Sequence, residues 1–171
     1  MALPDLIEPG ALDGLPGGPY TEAMAKTGAH TVRRVAKWHI APVIEETVTL
    51  DHDGAGVVRL PSLRVIDVLS VVDVSGREDR PLTERTHYRW SEAGMLSGRF
   101  PSGFRVLKVT FKHGFEECPP ELLPVIAQAS KEGRTRTRQA GPFQETYEAG
   151  LDSHPTSTAS VLSLYTLGPR P

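Results

Sequence analysis

One stretch in the second half of the chain, residues 104–132, constrains the fold most, because its hydrophobic period changes once along its length. Over residues 105–113 apolar and polar side chains alternate, which is typical of a strand with one buried face. Gly114 permits the positive φ of a turn, and Pro119-Pro120 supply backbone angles suited to a first helical turn. Apolar residues then recur at helical spacing, at Leu122, Val125, Ile126 and Ala129. The stretch predicts a strand, a turn and a helix, with a tight first turn or a mild kink at Pro124.

A second helix is predicted before this stretch, and a β-rich region lies between the two. Thr21 is an N-cap signal, and Pro42 requires the helix that follows Thr21 to end before it. Asp53-Gly54 is a turn signal between two alternating runs, residues 44–50 and 57–60. These two runs and their turn predict a β-hairpin.

Further strands follow the predicted hairpin. Apolar residues fill both alternating positions over residues 65–74, which predicts a strand covered on both sides for part of its length. Short strands are predicted at residues 87–90 and 95–96. The fold class that follows is α+β: a small helical bundle packed with an antiparallel β-hairpin or sheet, extended N- and C-terminal arms, and a short C-terminal helix.

The length of 171 residues fits one domain of ordinary size with tails. Residues 1–19 are rich in proline and glycine, and we interpret them as an N-terminal arm. Residues 20–133 are predicted to form the α+β core, and residues 134–171 a C-terminal arm with a short helix.

Charge and cysteine content limit the class of function. The formal net charge of -2 argues against a protein whose main task is to hold nucleic acid, because such proteins usually carry a basic stripe. Cys118 is the only cysteine, so an intrachain disulfide is impossible and a reducing compartment is the simple expectation. The chain has no basic leader before an apolar run and no run of about 18 apolar residues, so no membrane partner is expected.

The sequence carries no motif for a phosphate-binding loop, a dinucleotide site, a zinc protease or a nucleophile elbow. Asp51-His52-Asp53 groups three potential metal donors, but the surrounding D-H-D-G-A-G is more typical of a polar turn. Glu116-Glu117 is more typical of charges that face a helix N-terminus than of a catalytic pair. We therefore predict no enzyme activity, no catalytic residues, no cofactor and no metal. A small metal-dependent hydrolase that uses His52 with Asp51 and Asp53 stays open as the alternative.

A short basic segment follows the predicted core. Arg134, Arg136 and Arg138 alternate with threonines, so in an extended segment all three guanidinium groups lie on one side. There they are candidates for contact with DNA phosphates or with carboxylates of a partner. A solvated linker is the alternative interpretation.

Both ends of the chain carry apolar residues that a monomer is expected to leave exposed. The predicted C-terminal helix is too apolar for a solvated tail, so we expect a partner to cover it. Its candidate contact residues are Val161, Leu162, Leu164, Tyr165 and Leu167.

The order of the segments resembles the head-to-tail adaptor, or connector, proteins of long-tailed double-stranded DNA bacteriophages. The resemblance covers residues 31–167, and it is a pattern of spaced structural residues rather than a catalytic signature. Its most specific pieces are the WHIAP corner, the LPSLRVIDVLSV strand entry and the VTFKHGFEECPPEL turn into a helix. The chain departs from the family pattern in lacking an evident long N-terminal helix and in carrying Pro124.

The resemblance implies a small α+β subunit that forms a homo-oligomeric, dodecameric ring beneath the portal protein. DNA would pass through the ring with transient, non-specific contacts. The C-terminal segment would reach the portal or a neighbouring subunit, and the opposite face would receive a stopper or tail-terminator protein. The expected location is the head-tail junction of the virion, after assembly in the host cytoplasm.

Other classes remain open beside this one. The chain is alternatively a stopper or tail-completion protein of the neck, in which case it sits in a different layer of the virion. The metal-dependent hydrolase is the enzymatic alternative. A β-rich binding module, monomeric and with its C-terminal helix packed on its own core, is a further one.

Overall fold

The computed structural model of the protein describes residues 3–132 and 158–168. Within those residues the helices are α1 (Glu22–Ala36), α2 (Leu123–Glu132) and α3 (Thr158–Leu164), and a 3-10 turn, Pro120–Leu122, precedes α2. The strands are β1 (Ile44–His52), β2 (Val57–Arg59), β3 (Val65–Asp73), β4 (Arg80–Leu82), β5 (Tyr88–Trp90), β6 (Met95–Gly98) and β7 (Gly103–His113). All strand pairs within the two sheets are antiparallel. The predicted α+β class is confirmed.

The chain groups into two compact units. Among the described residues, the helical unit comprises 3–37, 117–132 and 158–166, and the sheet unit comprises 38–116 and 167–168. The predicted division into an N-terminal arm (1–19), a core (20–133) and a C-terminal arm (134–171) stays a prediction. The helical unit brings α1 and α2 together although they are far apart in sequence.

Helix α1 begins and ends where its capping residues place it. Thr21 Oγ1 accepts a hydrogen bond from the Met24 N–H at 3.3 Å, which satisfies one of the free donors of the first turn. At the other end Lys37 has a φ of 66°, and its N–H donates to the Arg33 carbonyl at 2.9 Å. The helix therefore ends before Pro42, as predicted.

Helix α1 packs closely on α2 at Gly28. A Cβ on Gly28 would lie 2.2 Å from Ser130 Oγ and 2.4 Å from the Ile126 carbonyl oxygen. The Ser130 hydroxyl is held there, because it donates to the Ile126 carbonyl at 2.7 Å. Only glycine fits at this point of contact between the two helices.

The tight first turn predicted near Pro124 is confirmed. The chain enters α2 through the 3-10 turn Pro120–Leu122, and Pro124 follows Leu123 in the first turn of the α helix. A proline there loses no helical hydrogen bond, since the first N–H groups of a helix have no intrahelical acceptor. None of the helices in the described residues has the length and apolar content to cross a membrane.

The N-terminal arm folds onto the helical unit rather than extending away from it. Arg33 donates to the Pro4 carbonyl at 2.6 Å, and Lys131 donates to the Pro16 carbonyl at 3.1 Å. Leu6 is 4% exposed and Leu12 is 2% exposed. The expectation that the apolar residues of this arm are exposed in a single copy is therefore wrong for both leucines.

The larger sheet of the sheet unit has the order β1-β7-β3-β4, and the smaller one has the order β2-β6-β5. Strand β7 lies in the middle of the larger sheet, and Leu107, Val109 and Phe111 on its inner face are fully buried. The face predicted from the alternation over residues 105–113 is confirmed.

The predicted hairpin between β1 and β2 is wrong. Its turn chemistry is present, because Asp53 Oδ1 accepts the Ala55 N–H at 2.8 Å and Gly54 has a φ of 94°. The strands on either side nevertheless diverge: β1 pairs with β7 and β2 pairs with β6. A turn signal acts over a few residues, whereas the inner face of β1 is buried best against the apolar face of β7.

Strand β3 is not covered on both sides as predicted, because Ile66 is 45% exposed and Leu69 is 43% exposed. Its pairing with β7 shifts register twice, between Val65 and Asp67 and again between Val68 and Ser70. Each irregularity changes which side chains face inward. The buried positions of β3 are therefore three residues apart, at Val65, Val68 and Val71.

Candidate interaction surfaces

Helix α3 lies on α2 and on the turn that precedes it. Thr158 donates to Gln128 Oε1 at 2.7 Å near the start of α3, and the Tyr165 hydroxyl donates to the Glu121 carboxylate after its end. Leu162 is buried, 7% exposed. The helix is therefore attached to its own helical unit at both ends and along one side.

The contact between Tyr165 and Glu121 changes the acidity of both groups. Burial raises the pKa of the Tyr165 phenol, and the hydrogen bond to Glu121 adds to this effect. The same hydrogen bond holds the pKa of the Glu121 carboxyl below its ordinary value. The neutral phenol and the ionised carboxylate are the forms that make this contact.

The predicted C-terminal contact surface is smaller than the sequence indicated. Leu162 and Leu167 are each only 7% exposed, so neither is available to a partner without rearrangement. Leu164 is 77% exposed and is the apolar side chain that this segment offers to a partner. Val161 and Tyr165 are partly exposed beside it. Contact of this segment with a portal or a neighbouring subunit stays a prediction.

The three potential metal donors at the end of β1 are engaged by backbone groups. Asp51 Oδ1 accepts the Arg105 N–H at 2.7 Å, and Asp53 Oδ1 accepts the N–H of Ala55. His52 Nε2 accepts the Gly56 N–H at 3.3 Å, so the ring proton lies on Nδ1, 3.1 Å from a carbonyl oxygen. Asp53 and His52 therefore shape the turn after β1, and Asp51 joins the end of β1 to β7.

The other candidate chemical groups are placed as follows. Glu116 and Glu117 are both exposed. Burial raises the pKa of the Cys118 thiol to about 12, so the thiol is protonated at neutral pH. No group of three or more histidine, cysteine, aspartate or glutamate side chains that fits a metal ion occurs in residues 3–132 and 158–168.

Arg134, Arg136 and Arg138 lie outside the described residues. Their contact with DNA or with a partner's carboxylates stays a prediction.

A buried histidine cluster in the sheet unit was not predicted. His113, at the end of β7, is 1% exposed, and its ring centroid lies 4.4 Å from that of His39. His113 Nε2 lies 3.0 Å from Glu46 Oε2, and this interaction lowers the pKa of the Glu46 carboxyl. Gly114 admits the second ring, since a Cβ there would lie 2.6 Å from His39 Nε2. The cluster joins the WHIAP corner to the turn after β7.

The outer edge of β1 is the longest unpaired strand edge in the larger sheet. Strand β1 has nine residues and pairs with β7 on one side, whereas the described chain places no strand on its other side. Its exposed side chains are acidic or hydroxyl-bearing: Glu45, Thr47, Thr49 and Asp51. We call this surface the β1 edge. This edge was not predicted, because the hairpin prediction placed β2 beside β1.

Strand β7 completes the polar face beside the β1 edge. Glu45 lies opposite Lys112 and Thr49 lies opposite Lys108. Between these pairs the Thr47 and Thr110 hydroxyls are hydrogen-bonded at 2.9 Å. The face is therefore ordered on its β7 side by cross-strand contacts.

Neither a protein-family model nor a curated protein sequence matches this chain. Solved structures do share its fold. One is a chain from the neck of an empty gene transfer agent (GTA) particle computed with C6 symmetry, with 16% identity and a TM-score of 0.59. That match covers 100% of this chain and 97% of the other.

Two further structures give similar agreement. A chain from the neck of a native GTA particle computed with C12 symmetry has 14% identity and a TM-score of 0.56, over 87% of this chain and 85% of that one. A chain from the virion of a native GTA particle has 18% identity and a TM-score of 0.54, over 100% and 97%. The shared fold extends over nearly the whole length of each chain.

Proposed function

We propose that the protein is a structural subunit of a virion neck that assembles with copies of itself into a ring between the portal and the tail, through which DNA passes. The observation that carries this proposal is the fold shared over 100% of the chain with a chain from a GTA particle neck. That neck was computed with C6 symmetry and a second one with C12 symmetry, which fits a subunit that repeats around an axis.

The surfaces of the subunit support a ring. A closed ring needs a heterologous interface, in which two different patches of one subunit meet those of its neighbours. The chain offers the β1 edge on the sheet unit and Leu164 on the helical unit. In this proposal the segment from Val161 to Leu167 contacts the portal or a neighbour.

The chemistry of the chain agrees with an architectural role. The side chains of Asp51, His52 and Asp53, the strongest candidates for a hydrolase, accept backbone N–H groups of β7 and of the turn after β1. The net charge of -2 suits a ring whose DNA contacts are transient and non-specific. The remaining partners proposed are the portal and a stopper or tail-terminator protein, at the head-tail junction of a virion assembled in the host cytoplasm.

The test is electron microscopy of the purified protein with and without its portal, together with light scattering of the protein alone. We expect rings with six-fold or twelve-fold symmetry that cap the portal at its tail-facing end. A compact monomer that forms no ring and adds no density to the portal would contradict the proposal.

A stopper or tail-completion protein is the second candidate. The same comparison favours it, because the matched chains come from GTA particle necks and a GTA virion, and a stopper would also be a neck protein. Labelling of the chain within particles separates the two: density next to the portal supports the adaptor ring, and density beyond that layer supports a stopper.

A further inference from the structure

The two edges of the larger sheet are protected to different degrees. Strand β4 is three residues long and contains Pro81, which has no N–H to donate, so this edge is a poor template for another strand. Strand β1 is nine residues long, and neither proline nor lysine occurs in it. Natural proteins usually shield long strand edges, so the β1 edge has the properties of an edge that a partner covers.

The chemistry of the β1 edge specifies the added strand. Backbone N–H and C=O groups along the edge supply the main-chain hydrogen bonds of β-augmentation. The exposed side chains of β1 place carboxylates at Glu45 and Asp51, with Thr47 and Thr49 between them. Lys112 lies opposite Glu45 on the β7 side, and among the described residues no cation is ion-paired to Glu45 or Asp51. A strand with basic and hydroxyl side chains on one face complements this edge.

The chain itself contains such a segment. Residues 134–138 read Arg-Thr-Arg-Thr-Arg, so pairing as a strand places the three arginines on one face and the two threonines on the other. The segment begins two residues after α2 ends at Glu132, and α3 begins at Thr158. The chain between the two helices is long enough to span about 80 Å when extended, at roughly 3.3 Å per residue.

We propose that residues 134–138 of one copy pair as an added strand with the β1 edge of the adjacent copy in the ring. The face that carries Arg134, Arg136 and Arg138 lies beside Glu45, Thr47, Thr49 and Asp51 of the acceptor copy. A second copy is the occupant because a ring needs one patch that donates and another that accepts, and the segment and the edge form such a pair. This inference rests on the proposed ring.

Disulfide cross-linking tests the pairing, and strand alternation provides its own control. In a Cys118→Ser background, one preparation carries Thr47→Cys and the other carries a single cysteine at one position of residues 134–138. The two preparations are mixed under assembly conditions with the portal and then oxidised. We expect a dimer band with Arg134→Cys, Arg136→Cys or Arg138→Cys, and at least a tenfold weaker band with Thr135→Cys or Thr137→Cys, which lie on the opposite face.

Several results would overturn the inference. One is the absence of a dimer band at all five positions, and another is equal bands at arginine and threonine positions. A third comes from a protein that carries both cysteines in one chain: a disulfide that forms within that chain, but not between the two mixed preparations. Loss of DNA from particles after Arg136→Glu, with rings intact and no cross-link, would show that the segment meets DNA instead.

A charge exchange separates this inference from the proposed ring. Glu45→Arg and Arg136→Glu each reverse one charge and should abolish or strongly reduce ring formation, and the double variant should restore it. Circular dichroism of each variant checks that the subunit stays folded. If the wild-type protein forms rings and both single variants form them too, the strand pairing is wrong and the proposed function is unaffected. If the wild-type protein forms no rings with its portal, the proposed function is wrong.

Discussion

At the scale of single residues, the fold depends on close approaches that exclude larger side chains and on buried polar groups that meet each other. Gly28 lies against Ser130 between two helices, and Gly114 leaves room for the ring of His39. The first is a helical glycine, where alanine would ordinarily be preferred by up to about 1 kcal/mol. The tertiary contact outweighs that preference, and this makes the position a sensitive test of the helix packing.

Gly28→Ala should lower the free energy of unfolding by about 1–3 kcal/mol, because the added methyl group overlaps backbone and side-chain atoms of α2. Urea denaturation monitored by circular dichroism measures the change. Lys26→Ala, on the exposed side of the same helix, is the matched control and should stay within about 0.5 kcal/mol of wild type. A stabilised Gly28→Ala variant would mean that α1 and α2 do not approach each other this closely.

The pair of His113 and Glu46 should make stability depend on pH in acid. The pKa of Glu46 is lowered by its hydrogen bond with His113, so its contribution is present above the ordinary value of 4.5 and is lost as pH falls through the lower folded value. Because Glu46 is partly exposed, the contribution should be under about 1 kcal/mol.

The thermal unfolding midpoint of Glu46→Gln should therefore lie below that of wild type near neutral pH and converge with it in acid. Glu45→Gln, the neighbouring carboxylate that points to the other face of β1, is the control and should not show this convergence. Parallel pH profiles of wild type and Glu46→Gln would contradict the assignment.

Cys118 should react slowly with iodoacetamide in the native protein at pH 8. Its pKa of about 12 leaves almost no thiolate at that pH, and the thiolate is the nucleophile. Unfolding in urea should accelerate alkylation by more than tenfold, as followed by mass spectrometry. Equal rates in the native and unfolded states would show that the thiol is not held in a buried site.

At the scale of elements, α3 combines attachment to its own subunit with an exposed apolar residue. Leu162 and Leu164 are two residues apart on the same short helix, yet one is 7% exposed and the other 77% exposed. A half-turn of helix separates a side chain that packs within the subunit from one that faces outward. The two leucines therefore report on stability and on assembly separately.

Leu162→Ala should destabilise the subunit by about 2 kcal/mol, because it removes buried apolar contacts. Leu164→Ala should change stability by less than about 0.5 kcal/mol. Chemical denaturation measures both. Leu164→Glu should leave the unfolding curve unchanged and reduce ring formation with the portal, as counted by electron microscopy. Normal assembly of Leu164→Glu would remove this helix from the proposed contacts.

At the scale of the whole molecule, the described residues group into two units, and each helix or strand belongs to one of them. In the proposed function each subunit folds before it assembles. The arginine segment tests this, since its removal should affect assembly and not folding.

Changing Arg134, Arg136 and Arg138 together to alanine should leave the thermal unfolding midpoint unchanged and reduce rings or DNA retention. The matched control changes three exposed arginines of the sheet unit, Arg77, Arg89 and Arg99, with the same loss of charge. The control should keep rings and DNA retention at wild-type level. Equal behaviour of the two triple variants would support the interpretation of the segment as a solvated linker.

Much of the local structure followed from the sequence, because its causes are local. The Thr21 cap, the entry of α2 through its prolines and the alternating face of β7 depend on residues within a few positions of each other. The same local causes gave the correct turn at Asp53-Gly54. The order of segments also indicated the family resemblance on which the functional expectation rests.

Strand partners and exposed surfaces followed only from the tertiary structure. The choice of β7 over β2 as the partner of β1, the register shifts in β3 and the meeting of His39 with His113 each join residues distant in sequence. Such contacts depend on which apolar faces bury each other best, and a local pattern does not encode that comparison. The β1 edge exists for the same reason: it is what remains of β1 after β7 has paired with its other side.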